Sequence, residues 1–78
     1  MESILKAIDQ VEIIYRLSDS TFATRLGVDR SLISQFRSGK AEPGVKFLRA
    51  FAREFPEAQL SVFQYLAGND ESQEKTNV

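Results

Sequence analysis

Arg30, Ser31, Leu32, Ser34, Gln35 and Arg37 lie within one short stretch that also holds Ile33 and Phe36. On a helix, Ile33 and Phe36 share one face, and the other side chains are not needed to bury it. Their chemistry suits a ligand with patterned edges. A guanidinium can make paired hydrogen bonds to guanine, and a carboxamide can do the same to adenine. A hydroxyl donates or accepts, and a leucine packs against a thymine methyl. Arg30, Ser31, Leu32 and Gln35 are therefore candidates for reading base edges in a DNA major groove. The plainer alternative is an amphipathic helix with a solvated polar exterior. Enzyme chemistry has little to stand on. There is no histidine and no cysteine, no metal-ligand cluster and no phosphate-cradling glycine loop. Glu54 and Glu57, two carboxylates beside a helix break, read as surface rather than as an acid–base pair. No cofactor and no metal are expected.

The elements that must hold this face come just before it. Phe22, Ala23 and Leu26 are spaced for one face of a preceding short helix. Gly27 supplies the left-handed backbone of a sharp helix end, and Asp29 can cap the next helix by accepting its orphan N–H groups. Ala23 is small where a larger side chain would hold the two helices apart. Ser18 or Asp19 caps the first helix of the pair. The reading is a helix, a tight turn and a second helix presented outward.

Ala23, Gly27-Val28, Ile33-Ser34 and Gly39-Lys40 resemble the helix-turn-helix of the Cro/phage-repressor (xenobiotic-response-element) family, with Phe22, Leu26, Ile33 and Phe36 where that family places buried residues. The likeness runs from about Ile4 to Leu66. It implies an all-α, five-helix, lambda-repressor-like DNA-binding domain with the helix-turn-helix at helices 2 and 3. Arg30, Ser31 and Gln35 match positions that read bases in the family. The resemblance also implies DNA-backbone contacts from Ser18 at the start of the second helix and from Lys40 in the loop after the third. Ser34, and the helix start at Gly44 with Lys46, are further backbone candidates; Arg25 is a weaker one. Many members pair a glutamate after the recognition helix's last buried residue with an arginine on the first helix. Here those positions hold Arg37 and Glu12, which implies a structural salt bridge with exchanged charges. Alternatively, Arg37 points at phosphate and Glu12 is merely exposed.

Charge distribution fits this reading better than net charge does. The chain is −1 overall, yet Arg25–Arg53 holds seven basic residues against two acids (+5), and the remainder three against nine (−6). That asymmetry suggests one basic face on an acidic body.

Seventy-eight residues make one domain with a thin core, without disulfide or zinc to staple it, so stability must come from helix packing, with dimerisation as an optional addition. A first helix over about Ser3–Leu17 has Ile4, Ile8, Val11 and Tyr15 as a stripe, widened by Leu5, Ile13 and Leu17. That set is broader than one face needs, so Ile14, Val11 or Tyr15 can be left outside for a partner. Gly39 fits a helix C-terminus and Pro43 the start of a fourth helix. This helix, about Gly44–Phe55, is expected to bury Val45, Phe47, Leu48, Phe51, Ala52 and Phe55. Pro56 breaks it, and a fifth helix, about Glu57–Leu66, supplies Leu60, Val62, Phe63 and Leu66. Phe63 and Tyr65 fall on different sides, so one is not core; both are dimer candidates. The domain is read as 1–68, with 69–78 a disordered acidic tail. No signal peptide or membrane-spanning run is evident, which fits a cytoplasmic, nucleoid-associated protein.

The function these features imply is a sequence-specific DNA-binding transcriptional regulator of prokaryotic or phage type. It would be a repressor acting as a homodimer on a pseudo-palindromic operator in double-stranded DNA. The alternative is a helix-turn-helix module that contacts a protein partner, such as an antirepressor, a toxin or the transcription machinery.

Overall fold

The computed structural model describes residues 2–77, and the side chains of residues 3–68. Its order is α1 (Glu2–Tyr15), α2 (Asp19–Leu26), α3 (Arg30–Ser38), α4 (Val45–Glu54), a 3-10 turn (Pro56–Ala58) and α5 (Gln59–Asn77), with no strand among the described residues. The fold is all-helical. No described helix is long and apolar enough to cross a membrane.

Local chemistry explains most of the boundaries. Ser18 caps α2, its Oγ accepting from the Thr21 N–H at 3.1 Å, and Asp29 caps α3 by accepting from the Ser31 N–H at 3.1 Å. Gly27 (φ 72°) and Gly39 (φ 79°) end α2 and α3 in the left-handed region. At each end, two N–H groups return to the last turn's carbonyls, Gly27 to Thr24 and Val28 to Ala23, then Gly39 to Phe36 and Lys40 to Gln35. This double bond closes a helix with few orphan acceptors. α1 ends in the same way, Arg16 on Ile13 and Leu17 on Glu12, but with Arg16 at φ 56° in place of a glycine. The first helix therefore stops at Tyr15, short of the expected Leu17. Pro43 lies ahead of α4 and is buried, while Gly44 is the cap residue.

The core is an aromatic stack roofed by α1. Phe22 lies against Phe51 and Phe55, with ring centroids 5.5 Å away in each case, and Phe36 meets Phe47 edge-on at 4.9 Å. Ile4, Ala7, Ile8 and Val11 recur at helical spacing and seal it. Ala23 is buried at the packing of α2 on α3. Rings at these separations add edge-to-face attraction to the burial of large apolar area.

Several expected core positions are outside. Ile13 and Val45 are exposed, as are Leu60, Phe63 and Leu66 on α5, and of the three residues that could be left outside α1, Ile14 and Tyr15 are exposed while Val11 is buried. The inward stripe runs from Ala58 at the end of the 3-10 turn to Val62 on α5, with Tyr65 packed beside them, which turns Phe63 (70% exposed) outward. Of the two dimer candidates, Phe63 is the surface residue. The backbone of α5 follows a helical path to Asn77, beyond the expected domain limit at residue 68. No proline interrupts it, and glutamate, glutamine and lysine are good helix formers. The side chains of the 69–78 tail lie outside the described residues.

Candidate nucleic-acid interface

α3 is short, and its outer face rests on how α2 and α4 hold the inner one. Ile33 and Phe36 are buried, so Arg30, Ser31, Ser34 and Gln35 project from the opposite side, all exposed. With Ser18, Asp19 and Ser20 from the start of α2, these four line a polar cleft of about 560 Å³. Four hydroxyls, a guanidinium and a carboxamide thus converge beside the N-termini of two helices, where backbone N–H groups point outward. Ser20 went unnoticed in the sequence because it supports neither the turn nor the buried face.

Leu32 does not join this group. It is half-buried, packed on the core, and faces a second cleft of about 690 Å³ on a different flank of α3. This cleft is lined by Leu26, Gly27, Val28 and Leu32 on one side and by Gly44, Val45, Lys46, Phe47, Arg49, Ala50 and Arg53 on the other. The expected contact residues therefore divide. Ser18, Arg30, Ser31, Ser34 and Gln35 are brought together in the first cleft. Leu32, Gly44 and Lys46 belong to the second, and Lys40 is exposed in the loop and lines neither. Leu32, expected as a thymine-methyl contact, is set apart from the other base-reading candidates because its position on α3 turns it towards α4. The weaker candidate Arg25 lies over the Phe55 ring, 5.2 Å from the centroid, a cation–π contact on the core aromatic.

Behind the polar cleft, Arg37 ties three helices. Its Nη2 reaches Glu12 Oε1 at 3.3 Å, so the exchanged-charge bridge forms. Glu12 is only one of three partners. Nε and Nη2 donate to Asp19 Oδ2 and Oδ1 at 3.1 and 2.9 Å, a bidentate fork, and Nη1 donates to Asp9 Oδ1 at 2.8 Å. Asp19 also stands in the first turn of α2 and Arg37 in the last turn of α3, each favoured there by the helix dipole. The sequence reading left Asp19 as a cap alternative and did not see Asp9 as a partner.

Three carboxylates around one cation leave an excess of negative charge, and Glu12 bears it. Its side chain is 15% exposed and Oε2 is buried without a partner. Burial first, then the neighbouring Asp19 carboxylate, push the Glu12 carboxyl up to about 7. The Arg37 hydrogen bonds hold Asp19 below its ordinary value, and Asp19 in turn holds Arg37 above its own. Among the described residues, no grouping of histidine, cysteine, aspartate or glutamate is arranged to hold a metal ion.

No protein-family model, curated protein or solved structure matches this chain.

Proposed function

We propose that this chain is a sequence-specific DNA-binding regulator in which α2, the Gly27–Asp29 turn and α3 form a helix-turn-helix and α3 enters the major groove. The observation that carries the reading is the exposed set Arg30, Ser31, Ser34 and Gln35, gathered with Ser18 and Ser20 in one polar cleft. Arg30 and Gln35 supply paired donors and acceptors suited to guanine and adenine edges. Ser18 at the α2 N-terminus, Ser34 and Lys40 serve phosphates, as do the uncapped N–H groups beyond Gly44 with Lys46. The two groups flank α3 as two DNA strands flank a helix lying between them.

Regulation is steric. Two copies related by a twofold axis place their α3 helices in successive major grooves, about 34–36 Å apart, on a pseudo-palindrome. Occupation of a promoter then excludes polymerase. Leu60 and Phe63, exposed on α5, are the apolar side chains available for the homodimer contact. Affinity falls steeply with salt because lysine and arginine displace condensed counterions from the phosphates.

Selection from a pool of randomised duplexes tests the reading. A recovered half-site is expected, and Arg30→Ala relaxes preference at one of its base pairs. Failure to enrich any sequence, or equal weakening on all sequences by Arg30→Ala, speaks against it and favours a module that binds protein.

A further inference from the structure

The cleft on the α4 flank has a chemistry that base reading does not use. Its floor is Phe47, and half-buried Val28, Leu32 and Ala50 stand around it. Its rim carries Arg49 and Arg53, four residues apart and so on one side of α4. No acid lines it. Among the described residues Arg49 has no ion-pair partner, and the nearest carboxylate to Arg53, on Glu54, is 4.0 Å away with the arginine side chain 73% exposed. In a chain of net charge −1, an unpaired arginine and a second with one long, exposed ion pair beside bare apolar surface are a local exception.

Each half of this arrangement rejects an occupant that the other would accept. A phosphate, as proposed for the Gly44 and Lys46 end of the cleft, satisfies cations there but leaves Phe47, Leu32 and Ala50 uncovered. A neutral apolar helix covers the floor but leaves the arginines unpaired. A second copy of this chain matches poorly too. Its exposed apolar residues Leu60, Phe63 and Leu66 sit in a stretch from Gln59 to Gly68 that contains no acid, and Asp9 and Glu12, the acids beside exposed Ile13 and Ile14, are held by Arg37.

We infer that this cleft docks an acidic amphipathic segment of a partner protein. One or two large apolar side chains rest on Phe47 between Leu32 and Ala50, and flanking carboxylates pair with Arg49 and Arg53. The volume, about 690 Å³, is in the range of sites that take such side chains. Recognition follows the helix-in-groove mode, with apolar anchors for affinity and charge for orientation and approach. The inference goes beyond the DNA reading and does not rest on it.

The probe is a fluorescein-labelled, helix-forming peptide with two leucines one turn apart among glutamates, titrated with the full chain by anisotropy and by amide chemical shifts. Saturable binding is expected, with shifts at Val28, Leu32 and Ala50. Replacing the peptide leucines by serine, or introducing Arg49→Glu with Arg53→Glu, weakens it about tenfold or more. Far-UV circular dichroism confirms that the double variant folds, and Ala50→Glu gives a second lesion that charges the floor without removing a cation. Undiminished affinity for the serine peptide would show charge attraction alone and overturn the proposal. So would shifts centred on Arg30–Gln35, or no binding at all. Two further results refute it by naming another occupant: cleft shifts that appear when the chain alone is concentrated, and cleft shifts produced by duplex DNA but not by the peptide.

Discussion

The two clefts beside α3 differ in what they cost when empty. On the α2 side, exposed Arg30, Ser31, Ser34 and Gln35 face water and gain only from a ligand that matches their donors and acceptors. On the α4 side, Leu32, Ala50 and Val28 already contribute to the packing around Phe47, and the surface they leave open is apolar. Arg30 and Leu32 are two residues apart yet serve opposite ends. Under the proposed function, selectivity belongs where substitution leaves the fold intact, and stability where substitution leaves base preference intact.

The sharpest way to break that separation is through Arg37, since its partner Asp19 is also a wall of the polar cleft. Arg37→Met leaves three carboxylates facing one another and is expected to cost about 2–3 kcal/mol in urea denaturation, below the penalty of a fully buried pair. A loss near zero would mean that the cleft wall needs no anchor. Next come Arg30 and Leu32 as a crossed pair. Arg30→Ala should cost about 1–3 kcal/mol at one base pair and leave stability within about 0.5 kcal/mol. Leu32→Ala should lower stability by about 1–2 kcal/mol, less than a fully buried leucine, and leave base preference unchanged. Should Leu32→Ala alter preference at a thymine, the division between the clefts fails.

A smaller effect is expected from Glu12→Gln. The folded Glu12 titrates near 7 against an ordinary 4.5, so the folded chain holds a proton that the unfolded chain has released. Its stabilisation is therefore full below 4.5 and is lost as pH rises through 7. Asp19 acts oppositely: held low by Arg37, it stabilises above its ordinary value of 3.8 and loses that contribution on acidification. Unfolding free energy should accordingly fall between pH 5 and pH 8. Glu12→Gln should flatten that slope and add about 1 kcal/mol at pH 8. The smallest change sharpens the comparison by touching neither cleft. Arg16→Gly relieves the left-handed backbone at the end of α1 and should raise stability by about 0.5–1 kcal/mol, with DNA selection unaffected.

Features decided within a few residues could be read from the chain directly. Gly27, Gly39, Ser18 and Asp29 announce their helix ends because capping is local chemistry. The Glu12–Arg37 pair followed from a resemblance that supplied a long-range correspondence. What escaped depends on where separate helices meet. Leu32 stands one turn before Phe36, at the edge of the buried face of α3, and that it looks across a cleft to α4 depends on where that helix lies. Val45 and Leu60 match the hydrophobic pattern of their helices yet face water, because Phe47 with Leu48 and Ala58 with Val62 set the actual inward stripes. Asp9 shows no spacing that marks it as a partner of Arg37, since the contact spans 28 residues. Arg16 carries no glycine to betray a left-handed end.

Tyr15 has a use of its own. Its ring lies edge-on to Phe55 at 5.2 Å, and its hydroxyl donates to Glu57 Oε2 at 2.6 Å, in a chain with two tyrosines and no tryptophan. A phenol bound to a carboxylate emits weakly, because the excited ring gives up its proton readily. Opening the joint between the first helix and the 3-10 turn frees that phenol into water and brightens it. The molecule thus contains its own optical gauge of whether its first helix is seated against the 3-10 turn.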